Sequence, residues 1–197
     1  VSAPETLAPR AGPPGVALAS CAADIIEIAA FRACASGLER LAAERGVVLP
    51  GPGRVVARSG HLALCVRPAR WLLLAPPAAP GASAALWEEV TSGQGAALDL
   101  SAALRVFSLA GPAVPEMLAR ACRLDLDASA FPAGCAAATI MVQVPVILAR
   151  LTPGMLLLSP ATTARHLHEW LVETSKPFGL MRAVDATLSQ VCGDNST

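Results

Sequence analysis

The sequence predicts an α+β fold made of two duplicated β-α-β-β-β-α halves with antiparallel sheet. Three observations predict it. The first is an internal repeat. Trp71-Leu-Leu-Leu-Ala-Pro76 returns as Met155-Leu-Leu-Leu-Ser-Pro160, Leu49-Pro50 as Phe131-Pro132, and Glu89-Val-Thr-Ser92 as Val172-Glu-Thr-Ser175. The three matches keep their order at a spacing of about 83 residues, too long for a solenoid unit and suited to two fused copies. The second is that each half carries three apolar runs separated by turns of two or three residues. Such turns cannot make a parallel crossover, so the strands are antiparallel. The third is a helical period on either side of each run, which places helices against the sheet.

The elements follow in order. Residues 1–15, with four prolines and two glycines, exclude helix and central strand. Together with the apolar stretch Val16–Ala23, which has no place in either half, they read as an extended arm, 1–23. Residues 24–176 read as one duplicated domain with halves of about 24–96 and 97–176, and 177–197 as a C-terminal tail. In the first half, Asp24–Ala30 is a strand rich in isoleucine. Arg32–Arg45 is a helix on the spacing of Leu38, Leu41 and Ala42, ended by Gly46. Pro50–Gly53 is a turn; Arg54–Ser59, Leu62–Arg67 and Trp71–Ala75 are strands; Ser83 caps a helix that runs to Thr91. The second half opens with Ala97–Leu109, broken near Ser101. A helix starts at Pro112 and runs to about Cys122, and Asp125–Gly134 is a loop. Strands follow at Cys135–Val142, Pro145–Leu151 and Met155–Ser159. A last helix, Thr162–Thr174, has the apolar stripe Leu167, Trp170, Leu171 and Thr174.

Composition narrows the function. Net charge is zero and the basic residues are scattered, which argues against a nucleic-acid partner. The chain is 54% hydrophobic and only 15% charged, against roughly 25% in an average domain. So few charges point to buried surface beyond the chain's own core. The longest apolar stretch, Ala136–Ala149, is interrupted by Gln143 and Pro145 and is too short to span a membrane. Leu18-Ala19-Ser20-Cys21 is shaped like a lipoprotein cleavage box but lacks the basic start and apolar run before it. A cytoplasmic protein with no membrane partner is the expectation.

No residue pattern amounts to a catalytic, cofactor-binding or metal site. Cys21, Cys34, Cys65, Cys122, Cys135 and Cys192 form no C-x-x-C pair, and reduced thiols are expected. His166 and His168 are two apart on a helix, so they point away from each other and cannot grip one ion; His166 and Glu169 share a face that reads as solvated. Asp125 and Asp127 alternate in a turn, where carboxylates cap backbone amides rather than act as an acid–base pair. Gly51-Pro-Gly53 and Gly93-Gln-Gly95 lack the spacing of a phosphate or dinucleotide loop. Trp87 and Trp170 fall in equivalent helices, where they either fill the core or anchor a partner.

Several motifs together carry a resemblance: Trp71-Leu-Leu-Leu74, Asp99-Leu-Ser101, Leu109-Ala-Gly-Pro112, Leu124-Asp-Leu-Asp127, Phe131-Pro-Ala-Gly134 and Pro145-Val-Ile-Leu148. From about Ile25 to Thr174 the chain resembles the γ subunits of heterotetrameric sarcosine oxidases. More distantly it is similar to the folate-binding domain of the glycine-cleavage T-protein, an aminomethyltransferase, which implies strands exchanged between halves. The first resemblance implies a non-catalytic accessory subunit. Its complex oxidatively demethylates sarcosine to glycine, with hydrogen peroxide and either formaldehyde or 5,10-methylenetetrahydrofolate as co-products. It implies partners α, β and δ, chiefly α, with FAD, FMN, NAD, zinc and tetrahydrofolate held by those subunits and none by this chain, which alone is then inactive. Alanine-rich strands such as Ala136–Ala138 depart from the family. They leave open a related oxidase or demethylase of another N-methyl amino acid. A folate-dependent aminomethyltransferase-like protein is the alternative from a different class, and a free-standing ligand-binding module a third.

Overall fold

The computed structural model describes residues 15–58, 60–182 and 186–192, so the arm before Gly15 and the last five residues lie outside it. The first half runs β1 (Val16–Cys21), β2 (Asp24–Ala30), α1 (Ala35–Glu44), β3 (Arg54–Arg58), β4 (His61–Arg67), β5 (Arg70–Ala75) and α2 (Ala82–Thr91). The second runs β6 (Gly95–Asp99), β7 (Leu104–Ala110), α3 (Val114–Ala119), β8 (Ala136–Met141), β9 (Val144–Leu151), β10 (Gly154–Pro160) and α4 (Ala164–Ser175). A 3-10 turn at Lys176–Phe178 leads into β11 (Leu180–Arg182), and α5 (Leu188–Cys192) follows. The fold is α+β; among the described residues the named strands pair antiparallel except β1 with β11, and an isolated parallel bridge joins Cys21 to Ala186.

The strands form two sheets. One has six strands in the order β11-β1-β7-β10-β9-β8; the other has five, β3-β4-β5-β2-β6. Their facing sides share a core of Ile25, Leu64, Leu74, Leu156 and Leu158. The outer face of the six-stranded sheet is covered by α3 and α4 through Met117, Leu118, Leu167 and Leu171. The outer face of the other is covered by α1 and α2 through Leu38, Ala42, Trp87 and Val90. Strand alternation explains the layering. Ile26 and Ile28 of β2 meet the helices while Ile25 faces the other sheet. The duplication reaches single atoms. Near the C-terminal ends of α2 and α4, the buried hydroxyls of Thr91 and Ser175 donate to the carbonyls of Trp87 and Leu171, at 2.8 and 2.6 Å.

Each half lends its first strand to the other's sheet. β1 precedes β2 but pairs with β7, and β6 precedes β7 but pairs with β2. With Leu73 matched to Leu157 by the repeat, the registers make Ile26 equivalent to Phe107. Ser20, Leu18 and Val16 are then equivalent to Asp99, Ala97 and Gly95.

The structure corrects three expectations. Val16–Ala23 is not part of a loose arm: β1 is an interior strand, with Val16 and Leu18 almost fully buried. The tail after residue 176 contributes β11 and α5, whose Leu188 is buried between the sheets. Ser83 does not cap α2. Gly81 holds the N-cap position with φ of 78°, and the Ser83 hydroxyl donates instead to Asp24 Oδ2 at 2.6 Å. The expected break near Ser101 is the point where the chain leaves one sheet for the other.

Candidate functional site

The two crossovers, β1 to β2 and β6 to β7, come together. Leu100 N donates to the Ile25 carbonyl at 2.8 Å, and Ile25 N donates to Ser101 Oγ at 2.9 Å. Asp99 closes the turn by accepting from Ser101 N at 2.8 Å. The hydroxyl and amide of Ser101 hold the Asp99 carboxyl below the usual range. Asp24, at the start of β2, instead ties the loop before α2 and its first turn, accepting from Ala78 N at 3.2 Å and Ser83 Oγ at 2.6 Å. The Asp99-Leu-Ser101 motif is thus a clasp that turns β6 toward β7.

Two clefts flank this clasp. One, of about 390 Å³, is lined by Cys21, Ile25, Ser101, Arg105, Val106 and Phe107. The other, of about 440 Å³, lies among Asp24, Ser83, Asp99 and Ser101. Their sizes fall in the range of small-ligand sites. Their polar groups are turned to other partners. Arg105 Nη1 donates to the carbonyls of Ser101, Ala102 and Leu104, at 3.3, 3.3 and 2.8 Å.

The remaining candidates have structural partners. Asp125 Oδ1 accepts from Asp127 N at 2.9 Å, and Asp127 Oδ1 accepts from Ser129 N at 2.8 Å and from its hydroxyl at 2.5 Å. The Ser129 bonds hold the Asp127 carboxyl below its ordinary range. Arg150 fastens this loop by donating from Nη2 to the Leu126 carbonyl at 2.6 Å. His166 is exposed, whereas His168 stacks on Phe107 with centroids 5.7 Å apart. Glu169 pairs with Arg165 at 3.6 Å. Trp87 is buried and Trp170 half-buried, and Trp71 Nε1 donates to the Pro50 carbonyl at 2.8 Å. Burial pushes the thiols of Cys65 and Cys192 up. Among the described residues, no group of three or more His, Cys, Asp and Glu is placed to hold a metal ion, and no helix is long and apolar enough to cross a membrane.

The sequence reading missed the surface of β6. This strand ends the five-stranded sheet, and its Leu98 is 58% exposed. Phe31, beyond the end of the adjoining β2, is 53% exposed. Leu86 of α2, the helix that packs on β6, is also exposed. Alternation gave no warning, because Gly95-Ala-Ala-Leu-Asp99 has too few large side chains to define faces.

Known proteins similar to this chain are consistent with a subunit's surface. The sarcosine oxidase subunit gamma of Corynebacterium sp. (strain P-1) is 35% identical over 148 residues, covering 72% of this chain and 71% of that one. The subunit gamma of Arthrobacter sp. is 32% identical over 146 residues, covering 73% and 71%. Among solved structures, the heterotetrameric sarcosine oxidase from Corynebacterium sp. U-96 in complex with pyrrole 2-carboxylate includes a chain that matches with a TM-score of 0.76 at 28% identity. That match covers 89% of this chain and 91% of the other. Aminomethyltransferase T of the glycine cleavage system from Bartonella henselae matches with a TM-score of 0.61 at 15% identity, covering 86% of this chain and 48% of that one, and shares the fold. No family model matches.

Proposed function

Because this chain belongs to the family of sarcosine oxidase γ subunits, we propose that it is the non-catalytic accessory subunit of a heterotetrameric flavoprotein sarcosine oxidase. The observation that carries this reading is the match to a chain of such a complex over 89% of the present chain. In the proposed complex, sarcosine is oxidatively demethylated to glycine. Hydrogen peroxide is formed together with formaldehyde or 5,10-methylenetetrahydrofolate. FAD, FMN, NAD, zinc and tetrahydrofolate belong to the α, β and δ subunits, and α is the chief contact of this chain. The complex is cytoplasmic. The engaged polar groups around the two clefts support assigning the cofactors elsewhere.

Co-expression with the large flavoprotein and small cysteine-rich subunits tests the reading. The four chains are expected to co-purify and to release peroxide from sarcosine, while this chain alone releases none. Peroxide from the isolated chain overturns the accessory role. Micromolar binding of tetrahydrofolate to the isolated chain, by equilibrium dialysis, favours an aminomethyltransferase-like protein instead.

A further inference from the structure

We propose that the free edge of β6 receives an extended segment of another subunit of the complex, added parallel to β6 as the sixth strand of the smaller sheet. This rests on the accessory-subunit reading above.

The argument begins with the equivalent edge inside the same chain. β1 is the counterpart of β6, and its outer side carries β11 in parallel, with Val16, Leu18 and Ser20 facing it. Val16 N donates to the Gly179 carbonyl at 3.4 Å, and Ala186 N donates to the Ser20 carbonyl at 2.8 Å. On β6 the same three positions are Gly95, Ala97 and Asp99. Phe31 N donates to the Gln94 carbonyl, and Leu100 N donates to the Ile25 carbonyl. In an antiparallel ladder this parity sends the amides and carbonyls of Gly95, Ala97 and Asp99 away from β2, to the open side. Among the described residues no strand meets them.

The edge is also weakly defended: its one charge, Asp99 at the end of the strand, accepts from Ser101 N. Exposed edges are usually blunted by lysine, proline or a bulge. Gly95-Ala-Ala-Leu-Asp99 has neither lysine nor proline, and its pairing with β2 runs without a register shift. By contrast, β3 and β8 partly cover each other's edges: Val55 N donates to the Gly134 carbonyl and Ala136 N to the Gly53 carbonyl, both at 2.9 Å. β3 also ends in Arg54 and Arg58.

The chemistry of the occupant follows. Its backbone supplies the hydrogen bonds, as in other cases of strand addition. Gly95, in place of the counterpart Val16 that Leu180 meets, leaves room for an aliphatic side chain at least as bulky as Leu180. A second aliphatic side chain on the opposite face covers Leu98. The chain's own first fourteen residues are a poor candidate, since Pro4, Pro9, Pro13 and Pro14 lack the amides a ladder needs.

Hydrogen exchange resolved to single amides tests this on the assembled complex and on the full-length chain alone. Assembly is expected to slow the Ala97 and Asp99 amides by ~100-fold or more. Ala97→Pro removes an outward amide without touching the β2 ladder, and is expected to weaken assembly at least ~10-fold. Ala97→Ser keeps the amide and assembles as the unmodified chain does. If the complex forms and both amides exchange as fast as in the chain alone, strand addition is wrong while the accessory role stands. If the unmodified chain joins no complex, the accessory role fails and this inference with it. Protection already present in the chain alone, lost on removing residues 1–14 or on dilution, assigns the edge to the arm or to a second copy and overturns the partner strand.

Discussion

The two sheets are built from equivalent strands in the same order, yet one closes its exchanged strand inside the chain and the other leaves it open. In the six-stranded sheet, β1 lies between β7 and β11, and Val16 and Leu18 are at 0% and 2% exposure. In the five-stranded sheet, β6 has β2 on one side only, and the equivalent positions have shrunk to Gly95 and Ala97. Duplication supplied the same backbone twice, and the side chains then diverged according to what covers them. A strand covered by its own chain carries large aliphatic residues toward the helices. A strand whose cover lies elsewhere keeps small residues there and places its one large apolar side chain, Leu98, toward solvent.

The sharpest way to break this contrast is at the matched pair Leu18 and Ala97. Leu18→Ala, which copies the residue at the open edge into the closed one, is expected to cost about 3 kcal/mol in denaturant unfolding, as other buried leucine truncations do. Ala97→Ser, its counterpart, is expected to stay within about 0.5 kcal/mol. Equal costs would dissolve the distinction between the two edges. Next comes the repeat's other matched pair, Trp71 and Met155. Trp71 donates a buried hydrogen bond to Pro50 that Met155 has no group to make. Trp71→Phe is expected to cost about 1–3 kcal/mol, because the Pro50 carbonyl loses its donor; Met155→Leu is expected to cost less than about 1.5 kcal/mol.

Smaller still is the charge difference between Asp99 and its counterpart Ser20. The Asp99 carboxyl is depressed in the folded chain by Ser101. A depressed acid adds stability above its unfolded pKa and loses it as pH falls through the folded value. The gap between the unmodified chain and Asp99→Asn should therefore close below a pH of about 4. Solvent screening keeps it under about 1 kcal/mol. A Ser20→Ala variant should show no such acid limb, and thermal unfolding across pH 3 to 7 would reveal one. The smallest expected change in the chain's own stability is Leu98→Ser, within about 0.5 kcal/mol. Its effect should appear instead in a weakened yield of assembled complex.

Much of this architecture was legible in the sequence. Asp24–Ala30 is a strand at the predicted limits, because β-branched residues on both faces leave no helical alternative. The three-strand runs were set by their short turns, and the second-half helix Ala164–Ser175 lies close to its expected span. The motifs led to the right family. What escaped was non-local. Val16–Cys21 alternates with alanines, so its pattern is faint, and only its position beside β7 shows that it belongs to the core. Three residues from Leu180 are too few to register as a strand without the neighbour that aligns them. Ser83 stands near a helix start and has a capping residue's chemistry, yet it lies in the first turn of α2, and Asp24, distant in sequence, claims its hydroxyl. Asp99-Leu-Ser101 is visible as a motif in the sequence, but its meaning lies in which sheet each side of it enters.

The interlacing of β1 has a consequence for how the chain is made. β1 leaves the ribosome well before its neighbours: Leu18 pairs with Leu109 and then with Arg182. At a synthesis rate of roughly 5–20 residues per second, the first partner arrives some 5–18 seconds later and the second roughly 8–33 seconds later. Until β7 arrives an apolar strand with two bare edges waits beside a growing chain, and until β11 arrives one edge stays bare. The nascent subunit is therefore exposed to mispairing at β1. It is secured there only when β11 emerges.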